Sequence, residues 1–530
     1  MKKLHYIAVL ALTAVLASSC SESYLNQEPG GSSITEDQFY RLEDALDGFV
    51  RGIYPNLYLM GSEDHDSFAQ RAIDMYGDLL CGDMALKTQN YGWFSTDELM
   101  QTYGRRGYFW AYYYTFIRAC NRSINLMEQK NLVPPLDFKA DTMSNEQLNC
   151  GLYYAEVLTL RGWAYAGLSR YFVSMGADDA ALSVPIYTED DTRADTIIGT
   201  PRATVADLYQ RIENDLDLAV QYFEAYNMCE REGKIRVNID VARITLAYAY
   251  LNRGKNDNGE YANALKWAKE AIEKGTPHLL PNDKVLTTGF NDVTNENWIW
   301  GQDVTVQSTT SLASFFGQCD IYSYSYASAG DIKGIDQKLY ESIPAWDIRK
   351  GWWNNYAQSG KTNADRFKYA PDGKFYSATS KTIQGDRDWL SDNVYMRWEL
   401  AYLIAAEAAA RSGDVATAQS YLFEITDKRV IAGTETEYEA WKAGLTGSDA
   451  LLAAIKYNWR VELWGEGYGL QTFRRYGEAV ALGDNHLRSD KNPNPTTARL
   501  FTFELPTSEL YYNPYLHASI YGDTQTLRKK

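Results

Sequence analysis

The sequence feature that most restricts the fold is a pair of adjacent amphipathic stretches, Val241–Arg253 and Tyr261–Lys274. In each stretch apolar residues recur at i, i+3, i+4 and i+7, which places them on one face of an α-helix. They are Ile244, Ala247, Tyr248 and Leu251 in the first, and Ala264, Trp267, Ala268 and Ala271 in the second. The small alanines allow two helices to approach closely. A helix pair of about 34 residues is typical of a tetratricopeptide repeat.

Two further helix pairs are predicted elsewhere in the chain. One joins Tyr153–Phe172 with Thr204–Tyr222, and the other joins Val394–Ser412 with a helix after Asp414. The pairs are scattered, whereas a plain solenoid would have them in tandem. We therefore predict a mainly α fold, with a tetratricopeptide-like scaffold of helix pairs that carries long loop-rich insertions.

The two longest irregular segments are predicted at about residues 281–390 and 76–114. Both are rich in Gly, Ser, Asn and aromatic residues, within a chain that contains 41 Tyr and 14 Trp. Long irregular segments inside a compact protein are usually functional. Trp298 and Trp300 alternate as in a strand with one buried face, so we assign them to the core.

The N-terminus has the pattern of a lipoprotein signal peptide over residues 1–19. Two lysines precede an apolar run, Ile7–Leu16, which is too short to span a bilayer, and the small residues Ala17–Ser19 follow. A cysteine directly after such residues, here Cys20, is the lipoprotein form of the cleavage site. The alternative is an ordinary secretory signal with Cys20 nearby by chance.

The rest of the chain divides into a lipidated flexible tether, residues 20–33, and a body, residues 34–530. The tether is polar and turn-rich, as in Glu28-Pro29-Gly30-Gly31. No other stretch approaches the ~18 apolar residues that a spanning helix requires. We therefore expect membrane attachment through lipid on Cys20 alone.

Charge and motifs exclude several classes of function. The net charge is -17, and it becomes -19 once the two lysines of the signal peptide are removed, which argues against nucleic acid as a partner. The five cysteines that remain after Cys20 form no CxxC pair, so buried free thiols are favoured over one disulfide. The sequence contains no HExxH, GxSxG, phosphate-loop or dinucleotide motif, and we predict no metal, cofactor or enzymatic activity. A glycosidase needs only two carboxylates, so that alternative stays open.

Four segments, in matching order along nearly the whole chain, resemble motifs of the SusD/RagB family of outer-membrane nutrient-binding lipoproteins. They are Cys20–Pro29 (CSESYLNQEP), Arg397–Ala408 (RWELAYLIAAEA), Arg460–Gly467 (RVELWGEG) with Phe473–Tyr476 (FRRY), and Phe503–Pro514 (FELPTSELYYNP). The resemblance implies a SusD-like α-α superhelix at the cell surface of the outer membrane. It also implies a partner, a SusC-like TonB-dependent transporter, to which the protein delivers a captured glycan. The alternatives are a peptide ligand, as in some of the family, or a surface glycoside hydrolase.

The ligand site implied by the resemblance consists of aromatic residues in the irregular segments. The C–H face of a sugar ring stacks on Tyr or Trp, while polar side chains bond its hydroxyls. The candidate ligand-binding residues are Tyr91, Trp93, Tyr322, Tyr324 and Tyr326, with Asp83 and Asn90 as polar partners. The alternative for each is ordinary packing in the core or in a loop.

One acidic residue is predicted to be buried in the scaffold. Glu407 shares a helix face with Leu400, Leu403 and Ile404, and a buried carboxylate needs a partner. Arg397 and Arg460 are the natural candidates for that partner. We favour this structural role over a catalytic one.

Overall fold

A computed structural model describes residues 45–60, 64–88, 90–94, 106–137, 142–190, 199–226, 233–254, 258–477, 482–487 and 502–516. The signal peptide, the tether and Cys20 lie outside the described residues, so their assignments stay predictions. The chain divides into two compact units, Met1–Gly52 and Ile53–Lys530. The predicted body of residues 34–530 stays a prediction. In the first unit the described residues form one helix, α1 (Ala45–Arg51). The following paragraphs concern the second unit.

The second unit is mainly helical, as predicted. Its described α-helices are α2 (Asn56–Leu59), α3 (Ala69–Cys81), α4 (Arg106–Gln129), α5 (Asn145–Phe172), α6 (Val205–Tyr226), α7 (Ile239–Arg253), α8 (Asn258–Lys274), α9 (Phe315–Cys319), α10 (Tyr326–Ala329), α11 (Gln337–Ser342), α12 (Trp398–Arg411), α13 (Val415–Thr426), α14 (Glu435–Ala443), α15 (Ser448–Glu462), α16 (Gly469–Tyr476) and α17 (Thr507–Tyr512). None of them is long and apolar enough to cross a membrane.

The described strands form three antiparallel pairs. They are β1 (Met84–Leu86) with β5 (Lys333–Ile335), β2 (Leu182–Pro185) with β3 (Arg202–Thr204), and β4 (Trp298–Gln302) with β6 (Asn393–Arg397). All five residues of β4 are buried, so both faces of the strand are covered. The alternation of Trp298 and Trp300, in contrast, suggests a strand with only one buried face. Trp298 and Trp300 are core residues, as predicted.

The three predicted helix pairs are confirmed as α5–α6, α7–α8 and α12–α13. The third begins later than expected, because residues 394–397 pair with β4 as strand β6 before α12 starts at Trp398. In space the scattered pairs are neighbours. Helices α4 to α8 pack in chain order, and α12 packs on α8. The helical array is therefore continuous in space, although a long insertion separates α8 from α12 in the sequence.

Glycines allow α5 to lie close to both of its neighbours in this array. A Cβ atom at Gly162 would stand 2.7 Å from Leu216 of α6, and one at Gly167 would overlap the ring of Tyr113 of α4. The start of α5 is fixed by a capping box between Ser144 and Gln147. The close contact of three helices therefore depends on residues that carry no side chain.

The predicted loop-rich segments have different limits in the structure. Helix α3 continues to Cys81 and α4 begins at Arg106, so the irregular stretch is shorter than the predicted 76–114. Residues 281–390 contain only short helices, 3₁₀ turns and the strands β4 and β5. The described cysteines are buried free thiols: Cys81, Cys120, Cys150 and Cys319.

Glu407 is fully buried, as predicted, but its partners are different. Its carboxylate pairs with Arg411, one turn along the same helix, at 2.8 Å and with Arg475 at 2.9 Å. Burial opposes its ionisation, yet the charges of Arg475 and Arg411 outweigh burial and hold the pKa of Glu407 below its usual value. The predicted partners, Arg397 and Arg460, bind other carboxylates.

A buried ion network surrounds Glu462, the last residue of α15. The Glu462 carboxylate accepts hydrogen bonds from three arginines. The N···O distances are 2.9 Å to Arg349, 2.9 Å to Arg397 and 2.9 Å to Arg429. Burial raises the pKa of Glu462, but these three charges dominate and hold it well below the usual range.

The network is balanced in charge and sealed from water. Its four cations are Arg349, Lys374, Arg397 and Arg429, and its four anions are Asp347, Glu399, Glu462 and Glu466. Each of these side chains is 4 % exposed or less. Loss of one member therefore leaves an uncompensated charge in a dry interior.

We expect Glu462→Gln to lower the free energy of unfolding by about 3–5 kcal/mol, because three arginines lose their shared carboxylate in the interior. The shift of the urea midpoint, followed by circular dichroism, measures it. Glu273→Gln is the matched control, since its pair with Lys269 at 3.5 Å is solvent-exposed, and it should leave the midpoint unchanged. Equal midpoints for the two variants would show that the network contributes nothing.

Candidate functional site

The site is assembled by the short sheet of β1 and β5. Met84 pairs with Ile335 and Leu86 with Lys333, so residues from two distant parts of the chain leave the sheet side by side. The pairing is extended by a hydrogen bond of 2.9 Å from the Asp336 N–H to the Asp83 carbonyl. All residues of both strands are buried, which fixes their register.

Asp331 holds the loop that follows β1. Its carboxylate accepts the backbone N–H groups of Asn90 and Tyr91, each at 3.0 Å. The Thr88 hydroxyl donates to the Gly330 carbonyl at 2.6 Å, which adds a second link between the same two segments. Asp331 is 2 % exposed, so these charge-assisted bonds are shielded from water.

Four rings meet at the end of this loop, and we call them the aromatic cluster: His65, Tyr91, Trp93 and Tyr326. His65 stacks on Trp93 with a centroid distance of 5.2 Å and an interplanar angle of 21°. Tyr91 contacts Tyr326 edge to face at 5.1 Å, and Trp93 contacts Tyr326 at 6.4 Å. The His65 ring nitrogen and the Tyr326 hydroxyl form a hydrogen bond.

The aromatic cluster is partly open to solvent. The Tyr91 side chain is 54 % exposed, and the other three rings are half-buried. Partial burial raises the pKa of Tyr326, so its hydroxyl stays protonated at neutral pH. The cluster therefore combines partly exposed ring surfaces with the neutral hydroxyl of Tyr326.

Three of the predicted binding residues come together as expected, namely Tyr91, Trp93 and Tyr326. Tyr322 does not join them, because it packs in a separate apolar group with Ile321, Ala327, Ile332, Phe367, Ala370 and Tyr376. Tyr324 is 39 % exposed and lies beneath the guanidinium of Arg387, 4.1 Å from the ring centroid, apart from the aromatic cluster.

The two predicted polar partners differ in accessibility. Asp83 is 1 % exposed and its carboxylate binds Arg460 at 2.7 Å, so it stabilises the fold and is not available to a ligand. Burial also raises the pKa of Asp83. Asn90 is exposed beside Tyr91, and only its backbone N–H is bound by Asp331.

Two residues of the site were missed by sequence reasoning. No sequence motif links His65 to Trp93, and only folding stacks the two rings. Asp331 follows Gly330, whose φ of +110° marks a sharp turn, but nothing in the sequence pairs it with residues 90 and 91.

Family comparisons agree with this architecture. A family model described as "Starch-binding associating with outer membrane" matches residues 23–251, and the model of the SusD family matches residues 289–528. The two matches together span most of the chain. The chain belongs to the SusD family, as its motifs suggest.

Relatives of known sequence and of known structure are similar to this chain. A SusD-like protein of Bacteroides ovatus is 25% identical over 297 residues, which is 55% of this chain and 48% of the relative, so the match spans about half of that relative's length. A SusD-like carbohydrate binding protein from Bacteroides vulgatus has a TM-score of 0.69 at 21% identity, covering 89% of this chain and 96% of that one. A SusD superfamily protein from Bacteroides thetaiotaomicron also has a TM-score of 0.69 at 21% identity, and the match covers 89% of this chain and 98% of that one. At such identities the structures establish a shared fold.

We expect Asp331→Ala to release the loop that carries Tyr91 and Trp93, because two backbone N–H groups lose their acceptor. Hydrogen–deuterium exchange of the peptide spanning residues 87–94 should become about ten times faster. Glu273→Ala is the control, since that carboxylate is 59 % exposed on α8 and should leave exchange unchanged. Equal exchange in the Asp331 variant and the unmodified protein would disprove this role.

Proposed function

We propose that this protein is a surface lipoprotein that binds a glycan at the aromatic cluster and delivers it to a SusC-like TonB-dependent outer-membrane transporter. The observation that carries the proposal is the exposed, pre-organised group of rings formed by His65, Tyr91, Trp93 and Tyr326. A sugar ring has an apolar C–H face that packs on such surfaces, and its hydroxyls can bond the Asn90 amide and the Tyr326 hydroxyl.

The chemistry of the cluster supports binding without turnover. Glycoside hydrolysis requires two carboxylates on either side of the scissile bond. Two acids that contact the cluster segments, Asp331 and Asp66, are each 2 % exposed. Both oxygens of Asp331 accept backbone N–H groups, and Asp66 accepts the Tyr76 hydroxyl and the Phe94 N–H, so both are engaged within the fold. Equilibrium capture of a ligand for a transporter requires no such pair.

The location at the cell surface rests on the N-terminal pattern and the family. Lipid on Cys20 would attach the protein to the membrane, and the polar residues 20–33 would let the body move above a transporter. The matching family model is described as associating with the outer membrane. The carbohydrate binding named for the Bacteroides vulgatus structure supports the choice of a glycan.

The double variant Trp93→Ala, Tyr326→Ala should lose at least about ten-fold in affinity for a bound glycan, because two stacking surfaces of the cluster are removed. A glycan and peptide array with the purified full chain in detergent identifies the ligand, and titration calorimetry measures its affinity. Tyr512→Ala is the matched control, since Tyr512 is 86 % exposed outside the cluster. Unchanged affinity in the double variant would reject this site. Array signals from peptides alone would reject a glycan ligand, and release of shortened glycan products would indicate hydrolysis.

Cys20→Ala should abolish acylation and release the protein from the outer membrane, because no other membrane attachment is predicted. Metabolic labelling with a fatty acid and fractionation of cells measure both effects. Cys81→Ala removes a buried thiol and should change neither. Retention of the Cys20 variant in the membrane fraction, without the fatty acid label, would disprove the proposed attachment.

A further inference from the structure

A cavity of 330 Å³ adjoins the aromatic cluster. That volume is at the lower end of the range of roughly 300–1,000 Å³ for ligand sites. The cavity and the cluster share two chain segments. Asn90 lines the cavity and precedes Tyr91, while Ala329 and Gly330 line it at the end of the helix that begins with Tyr326.

The charged side chains of the cavity wall are mostly cationic. Lys87, Arg366 and Lys368 line it together with one carboxylate, Asp365. Asp365 binds Lys368 at 3.1 Å, which leaves two cations in excess. This is unusual in a chain whose net charge is -17. Within the described ranges, Lys87 and Arg366 have no carboxylate at ion-pair distance, and both are exposed.

The backbone at Gly330 allows Arg366 to approach the cavity. Gly330 has a φ of +110°, and a Cβ atom there would stand 2.7 Å from the Arg366 Nε. The side-chain amide of Asn485 is already bonded, since its Nδ2 donates to the Ile335 carbonyl and its Oδ1 accepts the Gln337 N–H. The cavity lining therefore combines two cations that have no carboxylate partner among the described residues with a neutral amide that is already hydrogen-bonded.

The acids near this cavity do not neutralise it. Both oxygens of Asp331 accept the N–H groups of Asn90 and Tyr91, and Asp331 is 2 % exposed. Asp336 is 1 % exposed and binds His486 at 3.0 Å. Their charges are shielded by these partners, whereas Lys87 and Arg366 are directed to solvent-accessible space.

We propose that this cavity binds an anionic group of the glycan, a uronate carboxylate or a sulfate ester, while a neighbouring sugar ring stacks on the aromatic cluster. The proposal rests on the proposed function and specifies its ligand class as acidic glycans. Arg366 supplies a planar pair of N–H donors that matches either oxyanion, and Lys87 supplies a second charge.

The test compares matched acidic and neutral ligands. Oligogalacturonate is paired with its methyl ester, and sulfated dextran oligosaccharide with unsulfated dextran. Calorimetry on the full chain should show the acidic member of one pair binding about ten-fold more tightly at low salt, with the preference reduced in 300 mM NaCl because exposed charges are screened. A preference in the first pair alone indicates a carboxylate, and one in the second alone indicates a sulfate.

Variants connect the preference to the cavity. In Lys87→Gln, Arg366→Gln the preference should fall below about three-fold, while affinity for the neutral members is kept. Lys266→Gln, Lys269→Gln removes the same charge from α8 and should leave the preference intact.

Two negative outcomes are distinguishable. In the first, a neutral glycan binds and loses affinity when Trp93 and Tyr326 are replaced, but acidic ligands are not preferred, or the preference persists in Lys87→Gln, Arg366→Gln. This result would overturn the inference about the cavity and leave the proposed function standing. Absence of binding by every glycan on the array and in both pairs would overturn the proposed function together with it.

Discussion

The carboxylate of Glu462 is the centre on which the rest of the structure depends. Arg397 at the start of α12 and Arg429 after α13 belong to the helical array, whereas Arg349 belongs to the long insertion between α8 and α12. One buried acid thus holds the insertion against the scaffold. Lys374, also from the insertion, adds hydrogen bonds to the carbonyls of Glu462 and Trp464. Because the insertion carries β5 and Tyr326, the network fixes one half of the site.

The segment around Glu462, residues 460–469, fixes the other half. Arg460 and the Trp464 indole N–H both bind Asp83, which directly precedes β1. The carboxylate of Asp78 in α3 accepts backbone N–H groups from three glycines of the same segment, Gly465, Gly467 and Gly469. Burial, and next the charge of Asp83, raise the pKa of Asp78 to about 7, although those N–H groups oppose the shift. The two strands of the site sheet are therefore held by one stretch of about ten residues.

An apolar core of similar volume could stabilise such a junction as well, since buried ion pairs are seldom more favourable than hydrophobic packing. What charged groups add is geometric selectivity, because each arginine satisfies its hydrogen bonds only in one arrangement of the three segments that meet at Glu462. We infer that this selectivity keeps the loops of the site in place. The site itself then needs only short-range contacts, such as those of Asp331, to position Tyr91 and Trp93.

The sequence by itself determined the helix pairs, because the 3.6-residue period of apolar side chains is a local property of the chain. It also determined the family motifs and the burial of Glu407. The family resemblance, together with their place in aromatic-rich irregular segments, predicted Tyr91, Trp93 and Tyr326 as binding residues, and the structure places these three rings in one cluster. Only the tertiary structure decided that Glu407 binds Arg475 and that His65 stacks on Trp93, because these contacts join residues far apart in the chain. It likewise placed Tyr322 in the core. Tyr322 and Tyr326 would share one face of a strand, but Asp320 accepts the N–H groups of residues 322 and 323 and turns the backbone, so the period of two is lost.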